Sequence, residues 1–428
     1  MQIEKYPKRN RWQNLAERPK VNQSDLFALV NDIFKEIARD GDEAVKKYGQ
    51  QFDKVALENL LVSKEAIQSA EKNIPDDLKN AIQLAKSNIE KFHASQIETT
   101  KVVETSKGVK CWRENRPIEK VGIYIPGGTT PLFSTALMLG IPAKLAGCKE
   151  IVLCSPPDKN GNIHPAILYT ASLVGITKIV AVGGIQAIGA LTFGTNSIPK
   201  VDKIFGPGNQ YVTAAKQLAQ NYGVAIDMPA GPSEVLVIAD SSCHPEFVAA
   251  DLLSQAEHGS DSQVVLLSDN EKVIENTLKA LEQQLNDLPR KDITALALKN
   301  SKAILLKNVD ECISFSNLYA PEHLILAINE YEKFTPKIAS AGSVFLGNYS
   351  CESAGDYASG TNHTLPTNGY ARNYSGVSLD SFIKKITFQE LSAEGIKNIG
   401  PAIELMATAE QLDAHKNAVS IRLKNLKN

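Results

Sequence analysis

An alternation of short apolar runs with helical stretches is the feature of this sequence that most limits the fold. From Val121 onward, apolar runs return at intervals of roughly 25 residues, and each ends close to a glycine or a proline. This spacing is typical of strand–helix–strand units, which build a parallel sheet whose ligands bind beside the carboxyl ends of the strands. The predicted strands of the first sheet are 121–125, 151–154, 178–182 and 203–205.

A second series of the same kind begins at Val235. A helix begins at Pro245 and is expected to end before Gly259, between the first two strands of this series. The segments 24–96 and 366–428 are mostly helical in pattern, so we predict an α/β protein with two Rossmann-like parallel α/β domains and small helical segments at both ends. The predicted strands of the second sheet are 235–239, 263–267, 303–306, 324–328 and 343–346.

Size and charge narrow the classes of ligand and partner. The 428 residues exceed the roughly 250 to 300 at which one core stops growing, so more than one folding unit is expected. With 46 Lys and Arg against 48 Asp and Glu, the net charge of −2 argues against nucleic acid or an anionic membrane as a partner. The six cysteines show no paired spacing, and we expect free thiols in a cytoplasmic protein that binds a small ligand.

Histidines next to acids or amides mark four segments that could carry chemistry. Gln255 and His258 are spaced three apart and share one face at the end of a predicted helix. Glu322 and His323 follow Pro321 and lead directly into an apolar strand, which is a typical position for catalytic groups. The other two segments are a loop of small residues that contains Asp356 and His363, and a helical tail that contains Glu410 and His415.

Each of these segments also has a purely structural interpretation. His258 could simply be favoured by the negative end of its helix, and His323 could be a hydrogen-bonded residue at the end of a strand. Asp356 could cap a backbone amide in a turn, and His415 could lie on a plain surface helix. Together, the imidazoles of His258 and His415 and the oxygens of Asp356 and Gln255 form a set that Zn²⁺ accepts, although spacing alone does not show that the four meet.

The residues indicate a nucleotide site less clearly than a metal site. The motif G-x-G-x-x-G follows none of the predicted strands, so the usual dinucleotide fingerprint is absent. A glycine-rich edge with Tyr124, Gln186 and Asn209 at the ends of strands could hold a nucleotide through backbone amides, but tight turns need the same glycines. Both interpretations remain open on these residues.

Longer motifs connect the chain to a known family. Eight segments resemble the histidinol dehydrogenase family of the bacterial histidine pathway, in the same order and from about residue 24 to the end. They are VGIYIPGGTTPLFSTALML, KIFGPGNQYV, DMPAGPSEVLVIAD, DLLSQAEHGSDSQV, APEHLI, SAGSVFLG, SAGDYASGTNHTLPT and AHKNAVSIRL. The resemblance implies a two-step oxidation of L-histidinol to L-histidine through the aldehyde, with NAD⁺ as oxidant and one non-redox Zn²⁺ per subunit.

The resemblance also implies roles for individual residues. It gives His323 as the general base and Glu322 as the acid that activates water. By the same resemblance, the zinc ligands are Gln255, His258, Asp356 and His415, the NAD contacts are Tyr124, Gln186 and Asn209, and His363 has a supporting role. The substrate contacts that it implies are Ser233 and Glu410, together with Gln255, His258, His323, Asp356 and His415.

A domain division and a homodimer follow from the same resemblance. We expect an aldehyde-dehydrogenase-like arrangement with an N-terminal arm at 1–21, a catalytic domain at 22–120 and 234–376, an NAD-binding domain at 121–233, and a C-terminal arm at 377–428. The arm carries Glu410 and His415, and we expect it to be exchanged between the two subunits so that the active sites are shared.

Two other classes of function stay open from the residues alone. The first is a zinc-dependent hydrolase in which Glu322 activates a metal-bound water and the glycine loops are only turns. The second is a protein that binds a nucleotide without catalysis. We expect no catalytic thiol in any of these cases, because Cys148 and Cys154 lie beside predicted strands, where packing in the core is the common role of cysteine.

Overall fold

The computed structural model describes residues 1–18, 24–127, 130–176 and 178–426. Within these ranges the chain forms two parallel sheets and one small antiparallel sheet. The strands are β1 Gln2–Lys5, β2 Val103–Ser106, β3 Val109–Pro117, β4 Lys120–Tyr124, β5 Glu150–Ser155, β6 Lys178–Ala181, β7 Lys203–Phe205, β8 Ala225–Ile226, β9 Glu234–Ala239, β10 Gln263–Ser268, β11 Lys302–Leu305, β12 His323–Ala327, β13 Ser343–Leu346 and β14 Ile383–Leu391.

Helices cover the parallel sheets and form most of the two ends of the chain. They are α1 Trp12–Leu15, α2 Ser24–Asp40, α3 Asp42–Tyr48, α4 Lys64–Ser69, α5 Asp76–Ala94, α6 Ser134–Ala146, α7 Pro165–Leu173, α8 Gly184–Phe193, α9 Gln210–Ala219, α10 Pro245–Ala256, α11 Glu271–Asp287, α12 Lys291–Lys299, α13 Val309–Tyr319, α14 Glu352–Tyr357, α15 Ala393–Ala409 and α16 Asp413–Asn425. None of the helices in the described part of the chain is long and apolar enough to cross a membrane.

The two parallel sheets confirm the predicted fold class. The first has the strand order β6-β5-β4-β7-β8, and the second has the order β1-β11-β10-β9-β12-β13. The central strands of the second sheet, β9, β10 and β12, are buried at every residue. Strands buried on both faces are continuous apolar runs, which is why the sequence reveals them. All nine strands predicted for the two sheets are present, with ends that differ by one residue at most.

The small antiparallel sheet was not predicted. It has the order β14-β3-β2, and β14 pairs with β3 along its whole length. The residues of β14 are mostly half-buried or exposed, so the apolar pattern is weak, and the partner strand lies far away in the sequence. The expectation that the chain is mostly helical after Pro366 is therefore wrong for residues 383–391, although α15 and α16 confirm it for the tail.

The N-terminal helices pack differently from the expected grouping. α2 lies against α8 and α9, and α5 lies against α6, so these helices cover the first sheet and share its core. The sequence had grouped 22–120 with 234–376, which contain the second sheet. β1, from the predicted arm, instead extends the edge of that second sheet beside β11. The predicted boundary at 21 and 22 lies outside the described residues, and the remaining division of the chain stays a prediction.

A buried ion pair fixes the loop after β7. Lys216 Nζ lies 2.5 Å from Asp227 Oδ1, and both side chains are almost completely buried. Lys216 also donates to the carbonyl oxygen of Gly206 at 2.7 Å, while Asp227 Oδ2 accepts the Gly206 N–H at 2.8 Å. Gly206 has φ +125°, and a Cβ there would lie 2.1 Å from the Tyr124 carbonyl oxygen. The pair therefore holds a turn that only glycine fits.

Lys216→Met should lower the free energy of unfolding by roughly 3 to 5 kcal/mol, because it leaves the buried Asp227 carboxylate without the positive charge that pairs with it. Urea-induced unfolding measures the change. The matched control is Lys120→Met, since Lys120 Nζ lies 3.8 Å from Glu150 at a half-exposed position and its loss should cost less than about 1 kcal/mol. Equal losses in the two variants would contradict this interpretation of the buried pair.

Candidate active site

Glu322 and His323 lie at the amino ends of the strands of the second sheet. His323 begins β12, and both side chains are buried. Glu322 Oε2 accepts the backbone N–H of Glu234 at 2.8 Å, and His323 Nδ1 lies 3.1 Å from the Glu234 carbonyl oxygen. The two side chains approach to 3.7 Å between Nδ1 and Oε2. The first residue of β9 thus contacts both predicted catalytic groups.

This position differs from the general expectation that ligands bind beside carboxyl ends of strands. The reason is that α10 returns from the far end of β9, so its last turn, with Gln255, lies beside the amino ends of β9 and β12. His258 follows directly after this helix. Ser233 immediately precedes β9 and is half-buried at the same edge, as a contact for a substrate there would be.

Three of the four predicted metal ligands come together. Ligand atoms of His258, Glu352 and Asp356 all lie within 4.8 Å of one another. The Gln255 amide is buried beside them, and it donates to Glu352 Oε1 at 2.7 Å in the orientation that turns its nitrogen toward the carboxylate. His323 Nε2 lies 3.5 Å from Asp356 Oδ1. Gln255, His258 and Asp356 therefore share one site with the buried Glu322–His323 pair, and within it His258 is exposed and Asp356 is half-buried.

The donor set fits Zn²⁺. One imidazole, carboxylate oxygens and an amide oxygen are ligands that zinc accepts, and no thiolate is present in the cluster. Desolvation by the surrounding side chains lowers the pKa of His258, which favours the neutral imidazole that a metal needs. Asp356 Oδ1 and His323 Nε2 are buried atoms without a hydrogen-bond partner among the described residues. These features are expected of a site that receives a further group.

His415 and Glu410 lie elsewhere in this chain. Both side chains are exposed, and His415 is not in the cluster of possible metal ligands found among the described residues. α15 packs on α16 and contacts β2 and β14, all outside the two parallel sheets. Leu405 and Ile421 on these two helices are 73% and 59% exposed, which leaves an apolar surface open on the tail.

The three predicted NAD contacts surround one cavity of about 1020 Å³ at the carboxyl ends of the strands of the first sheet. The Tyr124 hydroxyl accepts the N–H of Gly184, and Gln186 donates to Asp53 at 3.1 Å. Asn209 caps α9 by accepting the N–H groups of the next turn. Asp53 was missed by the sequence reasoning, because it reaches this cavity from the N-terminal helices. Burial raises its pKa.

His363 connects the two parts of the structure. Its Nδ1 lies 2.9 Å from the carbonyl oxygen of Asp356, and its Nε2 lies 3.2 Å from the Thr135 hydroxyl on α6. A side chain beside the metal cluster therefore contacts a helix that covers the first sheet. Cys148 and Cys154 are core thiols, as expected: burial raises the pKa of Cys154 to about 12 and that of Cys148 to about 11.

Glu352 is the main residue of the cluster that the sequence reasoning missed. It lies four residues before Asp356 on α14, a spacing that places both carboxyl groups on one face of a helix. The spacing of four residues from Asp356 could therefore have identified Glu352 from the sequence. Its side chain is 1% exposed, and it contacts the Gln255 amide.

The protonation states of these groups depend on one another. Burial raises the pKa of Glu322 to about 8. Burial alone would lower the pKa of His323, but the nearby Glu322, Glu352 and Asp356 outweigh it and raise the pKa to about 10. The two pKa shifts are linked, because the acids raise the pKa of His323 only while they are ionised. The pKa of Glu322 is raised chiefly because its carboxyl group is buried.

Asp251 is a further buried acid near this site, and its raised pKa can be tested by mutation. It lies on α10 one turn before Gln255, and burial raises its pKa to about 7, while the Glu352 N–H lowers it in part. A carboxyl group with a raised pKa binds more protons when folded, so its contribution to stability is lost as the pH rises from about 4 to about 7.

Asp251→Asn should therefore stabilise the protein by roughly 2 to 3 kcal/mol more at pH 8 than at pH 5, because the amide carries no charge to bury. Urea unfolding at both pH values measures the difference. Asp32→Asn, at an exposed position of α2, is the control and should change the free energy little at either pH. An Asp251→Asn effect of the same size at both pH values would contradict the raised pKa.

Comparison with known proteins identifies the family of this chain. A sequence model described as histidinol dehydrogenase matches residues 16–423. A histidinol dehydrogenase of Bacteroides thetaiotaomicron is 60% identical over all of both chains. A chloroplastic histidinol dehydrogenase of Arabidopsis thaliana is 52% identical over 96% of this chain and 89% of its own length.

Solved structures show the same relation. A histidinol dehydrogenase from Elizabethkingia anophelis has 65% sequence identity and a TM-score of 0.99, and the match covers 100% of this chain and 99% of that one. An acetylating aldehyde dehydrogenase from Geobacillus thermoglucosidasius shares the fold at 15% identity and a TM-score of 0.51, over 89% of this chain and 95% of its own. The family match therefore defines an oxidoreductase, and its fold is aldehyde-dehydrogenase-like. The chain belongs to the histidinol dehydrogenase family.

Proposed function

We propose that this protein is a cytoplasmic homodimer that oxidises L-histidinol to L-histidine through L-histidinal, with NAD⁺ as oxidant and one Zn²⁺ in each subunit. The observation that carries the proposal is the convergence of His258 and Asp356 with the buried Glu322–His323 pair in one site. Family membership supports the substrate and the place in histidine biosynthesis. The cavity beside Tyr124, Gln186 and Asn209 supports a nucleotide.

The chain's own groups can divide the proton transfers. Each oxidation removes a hydride and a proton from the substrate, and the second one also requires water to add to the aldehyde. His323 Nε2 faces Asp356 inside the cluster, where the neutral imidazole can take the hydroxyl proton of the alcohol. A cation bound beside it would favour this neutral form, because it would offset the acids that raise the pKa of His323. Glu322, with a pKa raised to about 8, can take a proton from the water that adds to the aldehyde.

The remaining residues bind and orient. Gln255, His258, Asp356 and His415 would hold Zn²⁺, and Ser233 and Glu410 would contact the substrate. When bound, zinc supplies a Lewis acid that anchors the substrate, and NAD⁺ supplies the hydride acceptor. Burial of Glu322 and His323 keeps bulk water away from the reacting carbon, so the only water that needs to enter is the one consumed in the second oxidation.

The alternative of a zinc-dependent hydrolase predicts a different product. With histidinol and excess NAD⁺, the proposed activity should form two molecules of NADH for each histidinol consumed, measured by NADH absorbance and by quantifying histidine. A single molecule of NADH with accumulation of the aldehyde would contradict the second step. Loss of histidinol without NADH, or no turnover at all, would reject the dehydrogenase proposal.

A shared site explains the position of His415. Its exposure in the single chain and the open apolar surface of the tail both support exchange of α15 and α16 between two subunits. In a twofold dimer the tail of each chain could then complete the metal site of the other.

His323→Ala and His415→Ala chains should complement each other in a heterodimer. If the two variants carry different affinity tags and the mixed dimer is purified through both, one site holds both lesions and the other holds none, so activity should reach about half that of the wild-type dimer. Each homodimer serves as the inactive control. An inactive heterodimer would place His415 in the same subunit as His323, because every site would then carry one lesion.

A further inference from the structure

The main chain of Glu234 contacts both proposed catalytic residues. Its N–H donates to Glu322 Oε2 at 2.8 Å, and its carbonyl oxygen lies 3.1 Å from His323 Nδ1. A shift of this peptide would therefore move the hydrogen-bond partners of both side chains together. Contacts that hold Glu234 in place therefore also hold the orientation of Glu322 and His323.

The side chain of Glu234 is held by the N-terminal segment. Arg18 donates from Nε to Oε1 at 2.6 Å and from Nη2 to Oε2 at 2.7 Å, and the Asn368 N–H donates to Oε1 at 2.7 Å. The Glu234 side chain is only 3% exposed and that of Arg18 is 12% exposed. A two-point guanidinium–carboxylate contact defines both distance and angle, and a buried carboxylate cannot leave it without losing its counter-charge.

The same guanidinium also holds the segment that leads into β12. Arg18 Nη2 donates to the Tyr319 carbonyl oxygen at 2.9 Å, and the guanidinium carbon lies 3.8 Å from the centre of the Tyr319 ring. Ala320 follows with φ +53°, a left-handed conformation that is unfavourable for a residue with a Cβ and persists only where neighbours hold it. Glu322 and His323 come directly after this turn.

We propose that Arg18 is a positioning residue for the Glu322–His323 pair: it joins the start of β9 to the turn before β12, so that both catalytic side chains keep their partners on Glu234. The inference rests on the proposed function, since it assigns a role toward the same reaction. Arg18 touches neither the metal cluster nor the large cavity in the described residues, so its effect should appear in the rate of the chemical steps rather than in binding.

The test compares Arg18→Lys and Arg18→Ala with the wild type. Arg18→Lys keeps the charge but loses the two-point contact, and misplacement of catalytic groups by about 1 Å can cost on the order of 10²-fold in rate. We expect kcat to fall by roughly 10-fold in Arg18→Lys and 100-fold in Arg18→Ala, with KM for histidinol and the bound zinc within about twofold of the wild type. Millimolar guanidinium should restore part of the lost kcat in Arg18→Ala and should leave the kcat of the wild type unchanged.

Lys302→Met is the matched control for simple loosening of the N-terminal segment. Lys302 Nζ donates to the carbonyl oxygen of Leu15 at 2.6 Å and has no contact with Glu234 in the described structure. It should leave kcat within about twofold. If Arg18→Ala does not fold, as judged by circular dichroism, the Arg18→Lys comparison decides.

The possible outcomes separate this inference from the proposed function. An unchanged kcat in a folded Arg18→Lys or Arg18→Ala, an equal loss in Lys302→Met, or a loss confined to KM or zinc content would overturn the positioning role while the proposed function stands. A wild-type protein that forms no NADH from histidinol would overturn the proposed function, and this inference with it.

Discussion

Three carboxyl groups around one buried imidazole are the constraint on which the site depends. The charges of Glu322, Glu352 and Asp356 all raise the pKa of His323, and all four side chains are largely removed from water. Burial of so much charge is unfavourable unless each group finds a partner. The chain supplies some of these partners, namely the Glu234 N–H for Glu322 and the Gln255 amide for Glu352. A bound divalent cation would offset the negative charge that remains.

The two parallel sheets contribute different parts of the site. The first sheet offers a cavity at the carboxyl ends of its strands, where glycine-containing loops and Tyr124 meet. The second sheet offers the charged cluster at the amino ends of β9 and β12. His363 links them, since it contacts Asp356 on one side and Thr135 on the other. The cluster is therefore joined by hydrogen bonds to a helix that covers the first sheet.

The sequence predicts the parallel sheets well because most of their strands are buried on both faces and are therefore uninterrupted apolar runs. It does not predict β14, whose residues are mostly exposed and whose partner β3 is remote in the chain. Residues adjacent in a motif, such as Glu322 and His323, were found directly. Arg18 was not, because its importance comes from a contact with Glu234 across 216 positions, which no local pattern contains. The packing of α2 and α5 over the first sheet likewise depends on tertiary contacts, so no local pattern predicts it.

We propose that the metal site is assembled from two chains. A crystal structure of the full-length protein grown with Zn²⁺ tests this directly, since anomalous scattering at the zinc absorption edge locates the ion. We predict one peak per subunit, bound by Gln255, His258 and Asp356 of one chain and by His415 of the partner subunit. A peak held within a single chain by His258, Glu352 and Asp356, with His415 remote from it, would contradict the shared site, and so would the absence of any peak in this cluster.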